Sequence, residues 1–297
     1  MNTHSIYGNL SFKGGENVVI RAKTSFRVET VQNVQLAKGI VKFGNYHLSV
    51  YCFIIDGLLI DTGPKTLASH LRTFFSGQDL DQVVITHHHE DHTGNAAFLQ
   101  KQMGLSIFMR PEKMIYCQEK EDYPFYRKAF WGRRDRFEAT ELGDSLKSRT
   151  YSWEVIHTPG HAEDHVSLLN KDTGQLFTGD LYCGERTRVI LREESISKII
   201  ASIEKVLLYE FSEIYCSHLG YVKNGRRALK LKLEYLKELQ ENILDLIQEG
   251  RSEKEISKIL FPKKYPIEIL SFGEYSAKNI VRSVINDYYD TDNSLKI

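Results

Sequence analysis

The sequence predicts an α/β fold followed by a helical extension, and three observations lead to this prediction. Short apolar runs separated by turn signals fill residues 17–62 and return in residues 148–218, which indicates two strand-rich halves. Segments with helical apolar spacing follow strands in both halves, so strands and helices are mixed along the chain. Beyond residue 220 only the helical spacing remains.

Composition is that of an ordinary globular protein of 297 residues, with 39 basic and 39 acidic side chains. This balance excludes a broad electrostatic attraction to nucleic acid or membrane, although local basic patches are compatible with it. The first eight residues lack a basic segment followed by an apolar core, and no apolar run approaches eighteen residues. These features predict a soluble cytoplasmic protein without a membrane span.

Four cysteines, Cys52, Cys117, Cys183 and Cys216, are scattered singly along the chain. They therefore indicate neither a disulfide framework nor a structural zinc knuckle.

The first half begins as an antiparallel meander. Its predicted strands are Val18–Arg21, Phe26–Thr30, Ile40–Phe43 and Leu48–Ile55. Asp56-Gly57 between two apolar runs predicts a tight hairpin, because glycine adopts a positive φ without strain. A further strand, Asp81–Thr86, is followed by a helix over Gly94–Met103 and a strand over Leu105–Met109.

The densest group of chemical donors lies between that strand and that helix. Six consecutive residues supply four imidazoles and two carboxylates: His87, His88, His89, Glu90, Asp91 and His92. Such donors at the carboxyl end of a strand predict a metal site, because open α/β sheets bind their ligands there. Imidazoles two positions apart on a tight turn can share one metal, while Asp91 and His92 point elsewhere and can serve a second one.

Residues 111–142 form a segment rich in aromatic and basic side chains, with Pro124 expected to interrupt any long helix. Two interpretations are equally favoured. The segment is either a helical insertion that roofs the active site and gives the substrate an apolar wall, or an amphipathic helix pair that packs its aromatic side chains on the scaffold.

The second half repeats the arrangement of strands that end at polar residues. Trp153–His157 leads to a Pro-Gly turn that presents His161, and Gln175–Thr178 leads to Asp180. Apolar positions from Ile196 to Leu207 have helical spacing, and the strand Glu213–Ser217 ends at His218.

The C-terminal part is predicted to be helical. A long helix carries an apolar stripe from Leu229 to Ile247 and ends near Gly250, a shorter one opens with the capping box Ser252–Glu255 and stops at Pro262, and a last one includes Ile280–Ile285. A basic group on the long helix is interpreted as a solvated face in preference to a phosphate-binding surface. Its members are Lys223, Arg226, Arg227, Lys230 and Lys232.

The pattern H-x-H-x-D-H at residues 87–92 resembles the motif of the metallo-β-lactamase superfamily. Four further matches follow in that family's order: Leu58–Pro64, His157–His161, Phe177–Asp180 and Ser217–His218. The resemblance covers residues 25–220 and implies a four-layer αββα sandwich with metals in the cleft between its sheets. It divides the chain into a catalytic domain, 1–222, with the 111–142 insertion, and a helical, winged-helix-like extension, 223–297.

The resemblance also implies the ligands, two Zn²⁺ ions being the expected cofactors, with Mn²⁺ and Fe²⁺ suited to the same donors. The first metal would take His87, His89 and His161, and the second would take Asp91, His92 and His218, with Asp180 bridging the two. Asp61 would orient ligand histidines through their outer nitrogens. Tyr182, Tyr126, Phe130 and Trp131 are the candidate substrate contacts.

These residues predict a binuclear hydrolase that attacks a small acyl thioester, lactone or ester with a hydroxide held between the metals, assisted by Asp91 and Asp180. The alternatives are a phosphodiesterase or endoribonuclease of the same fold, and a non-catalytic metal-stabilised binding protein. Nucleic acid is the less favoured partner. The aromatic insertion and the long apolar helix are both suitable surfaces for a homodimer.

Overall fold

The computed structural model describes residues 5–9, 19–43 and 46–294. The predicted start of the first strand at Val18 lies outside these residues, and so do the outermost residues of both predicted domains. The described chain folds into two large sheets, a small two-stranded ladder and helices that cover the outer faces of the sheets.

The first sheet has eight strands in the order β1 to β8. Its strands are Ser5–Asn9, Val19–Val31, Val34–Phe43, Tyr46–Ile55, Leu58–Ile60, Gln82–Val84, Ser106–Met109 and Thr140–Glu141. Strands β1 to β5 form an antiparallel meander, whereas β5 to β8 are parallel. The predicted hairpin joins β4 to β5, where Asp56 and Gly57 have φ values of 53° and 76°.

The second sheet has six strands in the order β15, β14, β12, β11, β10, β9. Their bounds, from β9 to β12 and then β14 and β15, are Ser145–Lys147, Ser152–His157, Val166–Asn170, Gln175–Gly179, Glu213–Cys216 and Gly220–Val222. Only β12 and β14 pair in parallel in this sheet. Strands β13 (Ile190–Leu191) and β16 (Tyr275–Ser276) form the separate antiparallel ladder.

Ten helices, α1 to α10, are described. They are Ala68–Ser76, Glu90–Thr93, Ala96–Met103, Met114–Gln118, Phe125–Trp131, Ile196–Val206, Gly225–Gln248, Glu253–Leu260, Pro266–Leu270 and Ala277–Ser294. The capping box predicted at Ser252 and Glu255 is present at the start of α8. The chain turns at Gly250, which follows α7 with a φ of 78°.

Three apolar cores separate four layers. The first core packs helices such as α1 and α3 on the outer face of the first sheet, with Leu71 and Phe75 buried there. The second lies between the sheets, where Phe53 contacts Phe177 and Tyr215 edge-on. The third packs α6, α7 and α10 on the second sheet. The predicted αββα sandwich is therefore confirmed.

Two features refine the expected organisation. The 111–142 insertion contains only short helices, α4 and α5, joined to β8 by an extended stretch. The predicted boundary after residue 222 falls between β15 and α7, and the third core includes side chains from both sides of it, such as Ile214 and Leu236. The division into domains stays a prediction. Among the described residues, no helix has the length and hydrophobicity that crossing a membrane requires.

Candidate metal centre

The predicted donors converge because each follows the carboxyl end of a strand. Asp61 comes directly after β5, and His87 comes shortly after its parallel neighbour β6. Asp180 follows β12, and His218 follows the adjacent parallel strand β14. Since the two sheets face each other, these strand ends meet at one edge of the sandwich.

The first group consists of His87, His89 and His161. His89 Nδ1 lies 3.1 Å from His87 Nε2 and 3.0 Å from His161 Nε2. Two ligand nitrogens at about 2.0 to 2.1 Å from a tetrahedral zinc ion would lie about 3.3 Å apart. The observed spacing therefore fits a metal held by three imidazoles.

Hydrogen bonds on the outer side of the rings show which nitrogens face inward as lone pairs. Thr86 Oγ1 donates its proton to the Asp61 carboxylate, so it can only accept from His87 Nδ1, which lies 3.1 Å away. His161 Nδ1 donates to Glu194 Oε2 at 3.0 Å. The inner nitrogens of these two rings are therefore the ones that would lose their proton and bind a metal.

The second group consists of Asp91, His92 and His218. Its donor atoms lie within 4.8 Å of one another. His218 Nδ1 donates to the Ser49 carbonyl at 2.7 Å, which leaves Nε2 facing the cleft, 3.5 Å from Asp91 Oδ2. His92 Nδ1 donates to Asp61 Oδ2 at 2.7 Å, so His92 Nε2 faces the cleft in the same way.

Asp180 lies between the two groups. Its Oδ2 is 3.0 Å from His218 Nε2 and 3.4 Å from His161 Nε2, and its Oδ1 is 3.5 Å from His92 Nε2. His92 Nε2 and Asp180 Oδ1 are buried and lack a hydrogen-bond partner. Two buried polar atoms that face each other without a hydrogen-bond partner are expected where a cation binds. The residues therefore fit a pair of divalent ions.

Asp61 has the contacts that orienting a ligand requires. Besides His92 Nδ1, its fully buried carboxylate accepts from the Thr86 amide at 2.8 Å and from Ser217 Oγ at 3.3 Å. Its φ of 60° is uncommon for a residue other than glycine. This carboxylate ties together the strand ends that precede both groups of donors.

His165 holds the backbone of Asp180 in place through a hydrogen bond. Its Nε2 accepts from the Asp180 amide at 2.9 Å, and burial lowers the pKa of His165 to about 3, so the ring is a neutral acceptor. Gly179 makes this approach possible, because a Cβ at that position would lie 2.6 Å from His165 Nε2.

The electrostatics of the site favour a cation. Burial holds the pKa of His87 and His89 well below its usual value. Burial also opposes protonation of His218, but the Asp180 carboxylate outweighs it and raises the pKa of His218 to about 10. Crowded carboxylates thus draw positive charge into the cleft, and a divalent ion would supply it.

A cavity of about 610 Å³ opens beside His161, Asp180 and His218. Its wall includes Arg186, Arg188, Lys232 and Tyr275.

The interpretation of Lys232 as a solvated residue was wrong: only 5% of it is exposed, and its Nζ donates to the Tyr182 carbonyl. Helix α7 turns this position toward the cavity, whereas Lys223, Arg227 and Lys230 are exposed as predicted.

Arg226 also departs from the predicted solvated face. It is half-buried and donates to the Leu207 and Tyr209 carbonyls, which ties α7 to the end of α6.

The candidate substrate contacts do not line this cavity. Phe130 and Trp131 lie in the core on the outer face of the first sheet, which agrees with the packing interpretation of the insertion. Tyr182 is buried in the core under the second sheet, and only its carbonyl approaches Lys232. Tyr126 is buried in the first turn of α5, in the middle of the insertion.

The insertion nevertheless contacts α2, the helix that carries Asp91 and His92, through Arg127. Its guanidinium forms two 2.7 Å hydrogen bonds with Glu90, which lies between His89 and Asp91 in the sequence. A third bond of 3.3 Å reaches Glu274, next to Tyr275 of the cavity wall. Arg127 therefore links α5, α2 and the C-terminal segment.

Two carboxylates at the centre were missed by the sequence analysis. Glu194 accepts from His161, as described, and from the Leu191 amide at 2.7 Å, while Glu193 Oε1 lies 3.4 Å from His89 Nε2. The local sequence Arg192-Glu193-Glu194-Ser195 does not indicate these contacts. The hydrogen bond between His161 and Glu194, for example, joins residues that are 33 positions apart in the chain.

Comparison with known proteins agrees with the geometry. The family model described as the metallo-beta-lactamase superfamily matches residues 46–218. A hydroxyacylglutathione hydrolase of Aliivibrio fischeri is 27% identical over 215 residues, which cover 70% of this chain and 75% of that protein. An atrochrysone carboxyl ACP thioesterase of Claviceps purpurea is 24% identical over 204 residues. These residues cover 67% of this chain and 59% of that protein.

A beta-lactamase-like protein 2 homolog of Caenorhabditis elegans is 25% identical over 65% of this chain, which spans 62% of the length of that relative. Among solved structures, a beta-lactamase domain protein from Burkholderia ambifaria superposes with a TM-score of 0.61 at 17% identity. The superposition covers 85% of this chain and 86% of that one. At this identity the likeness shows the fold.

Proposed function

The chain belongs to the metallo-β-lactamase superfamily, and we propose that within this family it is a binuclear metal-dependent hydrolase of small acyl thioesters or esters. The observation that carries the proposal is the pair of donor groups on either side of Asp180, beside an open cavity. Zinc suits these nitrogen and oxygen donors best, and Mn²⁺ or Fe²⁺ is the alternative.

The ligand assignment in this proposal is the predicted one. His87, His89 and His161 would hold one ion, Asp91, His92 and His218 the other, and Asp180 both. Two such ions, when bound, supply a water of lowered pKa and polarise the oxygen of the electrophile. Asp61, Glu194 and Thr86 keep the imidazole rings in the required orientation through the hydrogen bonds described above.

The remaining steps fall to side chains of the cavity. The carboxylates of Asp91 and Asp180 would take the proton of the attacking water and deliver it to the leaving group. Lys232 and the two arginines of the wall would orient an anionic part of the substrate. Lys232 and Tyr275 both come from the predicted extension, 223–297, which in this proposal completes the substrate cavity.

Thioester chemistry is supported by the relatives. One is named as a hydrolase of hydroxyacylglutathione and another as a thioesterase. The basic residues of the insertion give little support to the phosphodiesterase alternative, because Arg134 is buried and donates to the Cys117 and Tyr116 carbonyls. The cationic wall formed by Arg186, Arg188 and Lys232 is the one observation that favours it.

The proposal is tested by a ratio of two activities measured on zinc-loaded protein. We expect chelator-sensitive turnover of an acyl thioester to exceed turnover of an activated phosphodiester. Asp180→Ala should reduce thioester turnover at least about a thousandfold, whereas Asp122→Ala, a substitution of an exposed aspartate away from the cleft, should leave it unchanged.

A reversed ratio would favour the phosphodiesterase. Full activity of Asp180→Ala would remove the catalytic assignment and leave a metal-stabilised binding protein as the better description.

A further inference from the structure

A second cavity, of about 720 Å³, lies in the C-terminal part of the chain. It is formed by α8, α9, the first two turns of α10 and Arg192, which follows β13, and we call it the cationic groove. Its lining includes seven basic side chains and a single carboxylate, Glu268. The whole chain has no net charge, so this local excess is a feature of the groove.

Six of the seven cations have no ion-pair partner among the described residues; the seventh, Arg282, pairs with Glu253 at 2.8 Å. The six are Arg192, Lys254, Lys258, Lys263, Lys264 and Lys278. Glu268, which accepts from the Tyr265 and Ala277 amides and from Ser276 Oγ at 2.8 to 3.0 Å, offsets only one of these positive charges. The groove therefore presents a concentrated positive field.

The groove also contains groups suited to a base and to a directional hydrogen bond. Phe272 is 91% exposed on its rim, and Phe261 lines it. Exposed aromatic rings beside cations are the elements with which proteins stack nucleobases next to phosphates. Ser257 is only 6% exposed, and its Oγ has no hydrogen-bond partner, which is unusual for a buried hydroxyl.

The groove shares a wall with the metal cavity. In the ladder of β13 and β16, Ile190 and Tyr275 line the metal cavity, whereas Ser276 and the following Ala277 line the groove. Arg192 of the groove immediately precedes Glu193 and Glu194, which contact the first group of histidines. A ligand in the groove would thus lie beside the metal cavity.

We infer that the cationic groove binds a phosphorylated nucleoside carried by the thiol half of the thioester substrate, an inference that rests on the proposed function. The groove has the volume of a small-molecule site, and its cations surround one cavity, which favours a single nucleotide over a polymer. The phosphates would meet the lysines, the base would stack on Phe272, and Ser257 would donate to the ligand. The acyl end would extend past the β13–β16 ladder to the metals.

Binding is tested first, with full-length zinc-loaded protein and adenosine 3′,5′-bisphosphate as the probe in calorimetry. Lys258→Gln/Lys278→Gln removes two exposed groove cations and should weaken binding about tenfold or more. Lys223→Gln/Lys230→Gln removes two exposed cations elsewhere and should not change it. Ser257→Ala, which removes a hydroxyl and no charge, should weaken binding severalfold.

Turnover is tested second, with butyryl-coenzyme A and the S-butyryl thioester of N-acetylcysteamine, which lacks the nucleotide. We expect a higher kcat/KM for the nucleotide-bearing thioester, and we expect the groove variant to lose that advantage through KM alone. The variant should hydrolyse the short thioester as the wild type does.

The outcomes separate the two proposals. Equal kcat/KM for both thioesters in every variant overturns the inference and leaves the proposed function standing. Hydrolysis of neither thioester overturns the proposed function and the link between groove and substrate, even if bisphosphate binding is lost in the groove variant. Tight binding of a single-stranded oligonucleotide without binding of the bisphosphate overturns the inference in favour of a polymer track.

Discussion

The metal cleft and the cationic groove both concentrate charge, but they hold it in opposite ways. In the cleft, charged and polar atoms are buried, and nearly every outward-facing donor has a partner, such as Asp61 for His92 and Glu194 for His161. In the groove, the cations are largely exposed, and six of the seven lack a carboxylate partner among the described residues. The cleft is therefore organised before its ligands bind, whereas the groove acts through its electrostatic field.

This difference predicts unequal effects of substitution. Breaking one contact in the cleft leaves a buried charge or a misdirected ligand, which is costly. Removing one cation from the groove leaves its neighbours in place, and water solvates what remains. Four experiments, from the largest expected effect to the smallest, test the contrast.

The largest effect is expected from Arg127→Met. The side chains of Arg127 and Glu90 are only 10% and 2% exposed, so the substitution leaves a buried carboxylate without its partner. We expect a loss of about 3 to 5 kcal/mol in the free energy of unfolding, measured by chemical denaturation of metal-loaded protein.

Arg133→Met is the matched control, because the Arg133 side chain is 61% exposed where it pairs with Glu121. Its cost should stay below about 1 kcal/mol. The double variant Glu90→Gln/Arg127→Met should recover part of the loss. Equal costs for the two single arginine variants would contradict the buried role of Arg127.

Asp61→Asn should come next. An amide cannot accept hydrogen bonds at both of its atoms, so either His92 Nδ1 or the Thr86 amide would face another donor. We expect zinc affinity, measured by competition with a chelator, to fall about 10- to 100-fold.

Asp56→Asn serves as the control for Asp61→Asn. Asp56 also accepts several hydrogen bonds, from Ser148 and Thr150, but lies at the β4–β5 hairpin. It should lower stability without changing zinc affinity. Unchanged affinity in Asp61→Asn would show that the ligand histidines are oriented by other contacts.

Lys232→Met is expected to have an intermediate effect on catalysis and little effect on folding. The free energy of unfolding should change little, because the lost hydrogen bond to the Tyr182 carbonyl is offset by removal of a buried ammonium. Because Lys232 would orient an anionic acyl group, the preference is measured as the ratio of kcat/KM for the succinyl to that for the butyryl thioester of N-acetylcysteamine. We expect this ratio to fall about tenfold in the variant.

The exposed Lys230→Met on the same helix should alter neither the preference nor the stability. If Lys232→Met unfolds the protein while the acyl preference of the remaining enzyme is unchanged, Lys232 is a structural residue.

The smallest effect is expected from salt. Raising ionic strength from about 0.05 M to about 0.5 M should weaken bisphosphate binding to the groove severalfold, because exposed charges are screened. The kcat/KM for the neutral short thioester should change less than about twofold. Equal salt dependence of the two measurements would remove the distinction between cleft and groove.

The predictions that succeeded depend on short-range signals. The Asp56-Gly57 hairpin, the capping box at Ser252 and the strands that precede Asp180 and His218 were all readable within a few residues. The insertion was harder to interpret, because an aromatic residue in a short helix can face a core or a ligand equally well. Phe130 and Trp131 face the core.

By itself the sequence determined the α/β class, the order of the strands that end at donors and the chemical identity of those donors. These properties are local, since strand period and turn residues act over a few positions. Only the tertiary structure decided which cation faces the cleft, which carboxylates hold the rings and where unpaired charge collects. The hydrogen-bond partners of Lys232, Glu194 and Glu90 belong to elements far away in the chain. A local sequence pattern cannot predict such contacts.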